Sequence, residues 1–451
     1  MKSGMPTVAL INPPVYDFSA YDLWAKPLGL LVIAECLRKA GLRVSLVDSM
    51  DPFHPALEGL CAPKRREFGT GKFFETEIPK PAALKDVRKK YHRYGLPPDR
   101  FEQAMREAGD ADAVLVSCAM TYWYPGAFEA IALVRKVWPA IPILLGGIYT
   151  TLCREHSEKF SGADAVLPGP FEKSLSLFKD ATGIRIDASH APLYRPALDL
   201  YAKLKYAPIL LSRGCPFRCD YCASGILHNK YARRAPEEVV EVIEEMALRG
   251  ISDFAFYDDA LLWDAKDGLI PLLEAILSRT SSKPQRKIRL HAPNGLHFSK
   301  IDRELAKLMR RAGFVTIRIG VESLSKESHE QWGGKADPES LASVVSYLFD
   351  AGYTPDEVGA YLLAGIPGQK AVELEKDVKT LLSLGVRPYL AEYSPLPGTP
   401  MFERARVASR YDIANEPVTQ NNSVLPCMSP DFTFEDLQRL KQLTWPQTRR
   451  K

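Results

Sequence analysis

Ala207-Pro208-Ile209-Leu210-Leu211-Ser212-Arg213-Gly214-Cys215-Pro216-Phe217-Arg218-Cys219-Asp220-Tyr221-Cys222 is the stretch around which the rest of the chain is organised. Its apolar beginning reads as a buried strand, and Gly214 permits a tight exit from that strand. Three cysteines at C-x3-C-x2-C spacing follow at once, so their thiolates can converge on one metal centre. A structural zinc site takes four protein ligands, and a simple electron-transfer [4Fe–4S] cluster takes four cysteines. The next cysteine is Cys427, far down the chain. Three cysteines would leave one iron of a [4Fe–4S] cluster open to a substrate or cofactor. A zinc knuckle or three unrelated buried thiols would use the same residues.

Composition sets the frame. A chain of 451 residues suggests two or three domains, and 46% apolar with 25% charged residues is an ordinary globular balance. No apolar run is long enough to span a membrane, and Met1-Lys2-Ser3-Gly4 lacks the apolar core of a signal peptide. A formal charge of +4 is small for this length and does not imply nucleic acid. Eight cysteines in so long a chain are not a disulfide scaffold, and the clustered three point to the cytoplasm.

Ahead of the cysteine loop, Thr7–Pro14, Val44–Asp48, Ala113–Ser117, Ile141–Gly147 and Ala165–Gly169 read as strands. Amphipathic helices fall at about 27–39 and 124–137. This alternation predicts a doubly wound, Rossmann-like parallel sheet over residues 1–181. Ligands of such sheets sit beyond the carboxyl ends of the strands, here Cys118–Pro125, Gly146–Thr151 and Gly169–Glu172. An insertion at 51–109 carries the basic run Lys85–Tyr94, which reads as a solvated helix face, the alternative being a phosphate or RNA contact beside Tyr91 and Tyr94. A linker at 182–205, with Pro192 and Pro196, leads into the second half.

From there, strands near Ile209, Phe254, Ile288, Val315, Val358 and Tyr389 alternate with helices near 236–248, 266–278, 301–312, 338–350 and 371–384. The pattern predicts a partial (β/α)6 barrel over 206–400, with its chemistry at the carboxyl ends of the strands. Those ends are polar: Tyr257-Asp258-Asp259, His291-Ala292-Pro293-Asn294-Gly295, Gly320-Val321-Glu322-Ser323, Gly365-Ile366-Pro367-Gly368-Gln369 and Glu392–Thr399. A tail, 401–451, ends in one helix beginning near Pro430–Leu437 and stopping before Pro446, and Cys427 reads as buried and inert.

The cysteine loop, with aromatic Tyr221 before the third cysteine, resembles the signature of the radical S-adenosylmethionine (radical SAM) superfamily. The resemblance implies a [4Fe–4S] cluster on Cys215, Cys219 and Cys222, whose open iron chelates S-adenosylmethionine. Electron transfer from the cluster would then release methionine and a 5′-deoxyadenosyl radical. It also implies S-adenosylmethionine contacts from Tyr221, Asp258, Asp259, Asn294, Glu322, Ser323, Gly365 and Ile366. Asp258 or Asp259, or carbonyls beside them, would hold the ammonium where the family often carries Gly-Gly-Glu. Glu322 and Ser323 would meet the ribose, and backbone at Gly365 and Ile366 the adenine.

The first half resembles the cobalamin-binding domain often fused ahead of a radical SAM barrel. That implies cobalamin beside Ser117, Thr121, Tyr122, Gly146, Gly147 and Gly169, with a corrin face resting on Tyr122-Trp123-Tyr124. The same rings could instead be packing or an interdomain wedge, and the domain a vestigial Rossmann-like fold without cofactor. No Asp-x-His-x-x-Gly is present to supply a histidine to cobalt.

Together these imply a cobalamin-dependent radical SAM methylase acting on an unactivated carbon and reduced by a small protein such as a flavodoxin or ferredoxin. The alternatives are a cobalamin-independent radical SAM enzyme of cyclisation, rearrangement or sulfur chemistry, and a non-catalytic iron–sulfur protein. No second cysteine cluster exists for sulfur insertion, and the substrate is not named by these residues.

Overall fold

In the computed structural model of the chain, the first apolar run forms β1 (Thr7–Asn12). Parallel strands β2 (Arg43–Asp48), β3 (Ala113–Cys118), β4 (Ile143–Gly147) and β5 (Ala165–Leu167) join it in the order β5-β4-β3-β1-β2. Val8 and Leu10 pack with Leu30 and Leu37 on one face, whereas Ala9 and Ile11 pack with Phe101 and Ile131 on the other. Both faces are covered, so the strands are unbroken apolar runs rather than alternating ones. The order reverses between β1 and β3, which makes the carboxyl ends of those strands the natural ligand crevice.

The structure describes residues 5–61, 63–187, 195–281, 288–333 and 338–445. Pro192 of the expected linker, the first four residues and Pro446 lie outside them. Two units divide the chain: Met1–Lys205 with Ala414–Gln420, and Tyr206–Ile413 with Asn421–Lys451.

Three sequence expectations need correction in the first unit. Lys85–Tyr94 is not a solvated helix face: Tyr91–Tyr94 is the central strand of a small antiparallel sheet, between Val15–Asp17 and Glu75–Ile78. Its Arg93 is buried and forks onto Glu129, with Nε 2.9 Å from Oε2 and Nη2 2.6 Å from Oε1. A four-residue strand inside a basic run is too short for its alternation to register. The expected linker, 182–205, falls within the first unit rather than between the two. Ala197 N donates to Leu31 O at 3.0 Å, and Tyr201 OH donates to Asp48 at 2.5 Å. The tail is split, because residues 414–420 join the first unit, where Glu416 accepts the Tyr124 hydroxyl at 2.8 Å.

In the second unit β6 (Ala207–Ile209), β7 (Asp253–Phe256), β8 (Arg289–Leu296), β9 (Phe314–Glu322), β10 (Val358–Ala364) and β11 (Arg387–Glu392) lie side by side in sequence order, all parallel. Helices Pro236–Leu248, Leu269–Ser281, Arg303–Arg311, Leu341–Asp350 and Ala371–Ser383 fall between them. Consecutive βα units with neighbouring strands make a six-stranded partial barrel. The helix at 434–443 starts at Thr433, whose hydroxyl and Asp436 form a capping box.

Candidate active site

The cysteine loop leaves β6 through Gly214, whose φ of +80° and whose 2.6 Å clearance between a built Cβ and Lys230 O admit only glycine. Two aspartates at the end of β7 tie it down. Asp258 is buried and accepts Leu211 N at 3.1 Å, Ser212 N at 2.5 Å and Ser212 Oγ at 2.6 Å. Asp259 accepts Gly214 N at 3.0 Å and Ser224 Oγ at 3.1 Å, and that hydroxyl lies 3.3 Å from Cys222 Sγ. On the other side Asp220 N donates to Trp332 O at 3.1 Å and Asp220 O accepts Met401 N at 3.0 Å. Both carboxylates expected at the S-adenosylmethionine ammonium therefore act on the loop itself. Burial pushes the Asp258 carboxyl up to about 7, with Asp259 adding to it against the pull of the donors.

Cys215 is half-buried, Cys219 buried and Cys222 exposed, and none is in a disulfide. Burial pushes the Cys215 thiol up to about 11, with Cys222, Cys219 and Asp259 adding to it. A cationic cluster reverses that tendency, since thiolates are what bind metal. Among the described residues no three His, Cys, Asp or Glu side chains are grouped tightly enough for a single metal ion. Cys427 sits in an apolar cluster with Trp332, Leu363 and Tyr393, its thiol pushed up to about 12 by burial.

The barrel rim continues from the loop. Asn294 at the end of β8 donates to the Asp258 carbonyl at 3.3 Å. Glu322 at the end of β9 is buried and holds φ at +65°, following a break in the β9–β10 register. A non-glycine residue in that region is strained by about 1–3 kcal/mol, and such strain collects at functional positions. Burial of Tyr221, and after it the Glu322 charge, pushes the Tyr221 hydroxyl well above its ordinary range. Ser323, expected at the ribose, is instead occupied: its hydroxyl donates to Asp377 at 3.0 Å and its carbonyl meets His329 Nε2 at 2.7 Å. Gly365 has φ +81° and donates its N–H to Gln369 Oε1 at 2.7 Å, so Gln369 shapes the loop. Ile366 is buried in the apolar cluster that Tyr221 flanks. Asp377 was invisible in sequence as a site residue because it acts on another strand end, through the Ser323 hydroxyl and the Leu324 N–H, whereas Gln369 holds its own strand end at Gly365 and Leu363.

In the first unit Gly147, at the end of β4, has φ +110°, and a Cβ there would stand 2.5 Å from Cys118 O. Thr150 and Thr151 both donate to Gly147 O at 2.9 Å, and Thr151 accepts Gly169 N at 2.9 Å. The ends of β4 and β5 are thus a bare glycine edge, Gly146, Gly147 and Gly169, locked by threonines. Ser117 lies half-buried at the end of β3, and Thr121 is fully buried with its hydroxyl unpartnered. Small residues and one orphan hydroxyl fit the polar tail of a corrinoid. The aromatic rings expected under a corrin pack on protein neighbours: Tyr122 is buried edge-on against Trp123, Trp123 Nε1 donates to Asp17 at 2.7 Å, and Tyr124 stacks on Tyr149. His156, packed in the same group, contacts Tyr149 OH through Nδ1 at 2.5 Å.

Residues 209–381 match the radical SAM superfamily, and residues 82–178 match the B12 binding domain. The chain carries a radical SAM domain behind a B12-binding domain. Its fold is that of two solved proteins of this organisation. The radical SAM methyltransferase TsrM of Kitasatospora setae superposes with a TM-score of 0.66 at 18% identity, over 89% of this chain and 77% of that one. The cobalamin-dependent radical enzyme OxsB gives 0.56 at 14% identity, over 98% and 61%.

Among curated proteins, an anaerobic magnesium-protoporphyrin IX monomethyl ester cyclase of Cereibacter sphaeroides is 25% identical over 49% of this chain and 34% of its own. An uncharacterised methyltransferase of Pyrococcus horikoshii is 25% identical over 54% and 53%. The hopanoid C-2 methylase of Rhodopseudomonas palustris is 30% identical over 31% and 26%. The chain thus spans about half or less of the length of these curated relatives. Among the described residues no helix is long and apolar enough to cross a membrane.

Proposed function

We propose that this radical SAM and B12-binding chain methylates an unactivated carbon in a cobalamin-dependent reaction. The observation that carries the reading is the three-cysteine loop, clamped by Asp258 and Asp259 at the mouth of a parallel partial barrel. When bound, the [4Fe–4S] cluster supplies S-adenosylmethionine with the electron that cleaves its sulfonium bond, and cobalamin supplies the methyl group. Cys215, Cys219 and Cys222 hold the cluster, while Asp258 and Asp259 fix the backbone that presents those thiolates. Carbonyls at the β7 end, held by Asn294, take the ammonium. Glu322 accepts the ribose hydroxyls, Tyr221 closes the apolar side, and backbone at Gly365 and Ile366 meets the adenine. Ser323 holds the Glu322 turn through Asp377. Ser117, Thr121, Gly146, Gly147 and Gly169 receive the corrinoid, with Tyr122 supporting the loop from beneath.

A flavodoxin- or ferredoxin-like protein is the proposed reductant, in the cytoplasm. The test is anaerobic reconstitution with S-adenosylmethionine and dithionite, with and without methylcobalamin, measuring 5′-deoxyadenosine. Its formation together with retained corrinoid is the expected result. Formation with no corrinoid retained returns the cobalamin-independent reading, and no formation returns the non-catalytic iron–sulfur protein.

A further inference from the structure

The lumen of the barrel carries two guanidinium groups that have no carboxylate partner among the described residues. On β9 and β10, Ile317, Ile319, Ala360 and Leu362 are fully buried, facing the helices at 303–311 and 371–383 that pack on these strands. The alternate residues, Arg318, Tyr361, Arg387 and Tyr389, are only half-buried, as a two-residue period requires of the opposite, concave face. Two links confirm that they span that face. Tyr361 OH on β10 reaches over β9 to donate to Pro293 O on β8 at 2.8 Å. Arg318 Nη2 on β9 reaches over β10 to Tyr389 OH on β11 at 3.2 Å. The crossing needs Gly359 in the register position between them, since a Cβ there would stand 2.4 Å from the Tyr389 ring.

Tyr389 gathers two cations onto one ring. The Arg318 guanidinium lies 4.7 Å from its centroid and that of Arg387 4.9 Å. Arg318 also donates to two carbonyls, Ile317 O at 2.9 Å and Glu357 O at 3.1 Å. The Arg387 side chain makes no hydrogen bond among the described residues, and its buried Nε has no partner. Neither guanidinium is paired with a carboxylate among the described residues. Like charges held side by side repel, and a buried N–H without an acceptor costs free energy. Proteins ordinarily answer both with a nearby Asp or Glu. The planar fork of Arg387 matches the two oxygens of a carboxylate or phosphate.

We infer that the barrel lumen binds an oxyanion, a carboxylate or phosphate carried by the substrate, on Arg387 and Arg318 across the face of Tyr389. This rests on the proposed enzymatic reading and narrows its substrate class to anionic molecules whose reacting carbon lies toward the rim.

Equilibrium dialysis of the reconstituted protein, with inorganic phosphate in one arm and malonate in the other, tests the site directly. Saturable binding in at least one arm is expected, and the tighter arm identifies which oxyanion the fork prefers. Arg387→Gln should weaken that arm at least about tenfold, the equivalent of about 1.4 kcal/mol. Because the Arg387 side chain makes no hydrogen bond among the described residues, this variant should fold as the parent does, and its near-ultraviolet dichroism checks that. Arg387→Lys should recover less than the full affinity, since a point charge replaces a fork. Absence of saturable binding in both arms, or unchanged affinity in Arg387→Gln, overturns the inference. Uncoupled 5′-deoxyadenosine formation, which needs no substrate, is measured alongside. Its loss in the parent protein condemns the enzymatic reading and leaves the anion result to be judged on its own.

Discussion

Asp258 grips Ser212 through one carboxylate oxygen, which accepts the Ser212 N–H at 2.5 Å and its hydroxyl at 2.6 Å. The residues belong to neighbouring strand ends of the barrel, so the second strand determines how the first releases the cysteine loop. Asp258→Asn leaves a single acceptor oxygen facing three donors and adds an amide NH2, itself a donor. The expected cost is about 1–3 kcal/mol of stability from buried donors left unmatched, with less iron held after reconstitution. Full iron content at an unchanged melting temperature would show that the clamp does not matter.

The cluster assignment makes a separate demand. Cys215→Ala, Cys219→Ala and Cys222→Ala should each lose the cluster, whereas Cys427→Ala should keep about four irons and four sulfides. Cys36, Cys61, Cys118 and Cys153 should be equally dispensable. Iron and sulfide analysis after anaerobic reconstitution decides it, and a full cluster in Cys219→Ala would sink the assignment.

Glu322 pays for its position with a left-handed backbone. Glu322→Gly removes that strain, so its stability should stay level or rise, by up to about 1–3 kcal/mol. Its affinity for S-adenosylmethionine should fall by about 1.5–3 kcal/mol, the worth of a charged acceptor. Calorimetric titration and thermal denaturation read the two effects separately. Unchanged affinity would reduce the β9 end to a structural turn.

At the opposite end of the barrel, burial opposes ionisation of Asp253, but hydrogen bonds from His291 and Arg289 outweigh it and hold the carboxyl down to about 2. A depressed folded-state value stabilises the protein above the unfolded value, and the contribution disappears as pH falls through the folded one. The predicted window is therefore between about pH 4 and pH 2, with about 2–3 kcal/mol present at neutral pH. Urea midpoints across that range should drop in the parent and flatten in Asp253→Asn; parallel curves would contradict it.

For cobalamin the expectation is a base-off form without a protein histidine. The sequence has no Asp-x-His-x-x-Gly, and His156 is engaged with Tyr149. Electron paramagnetic resonance of the cob(II)alamin form should show no nitrogen splitting from an axial ligand. Such splitting would refute the geometry.

The sequence by itself determined whatever depends on neighbours along the chain. Cys215, Cys219 and Cys222 are close because a short loop makes them so, and the apolar runs at β1, β3 and β4 are strands because both their faces are buried. The strand ends at Asp258, Glu322 and Gly365 could be located by counting βα units. Which side chain there is free to meet a ligand was decided only by tertiary structure. Ser323 is spent on Asp377, a partner on the helix after the next strand, and Asp258 on the cysteine loop rather than on the ammonium expected there. Arg93 looked like part of a solvated charge run until Glu129 was brought to it. Arg318, Arg387 and Tyr389 carry no local signal at all. Their meeting depends on the register of three strands and on the space above Gly359, and no period in the chain encodes a relationship between residues so far apart.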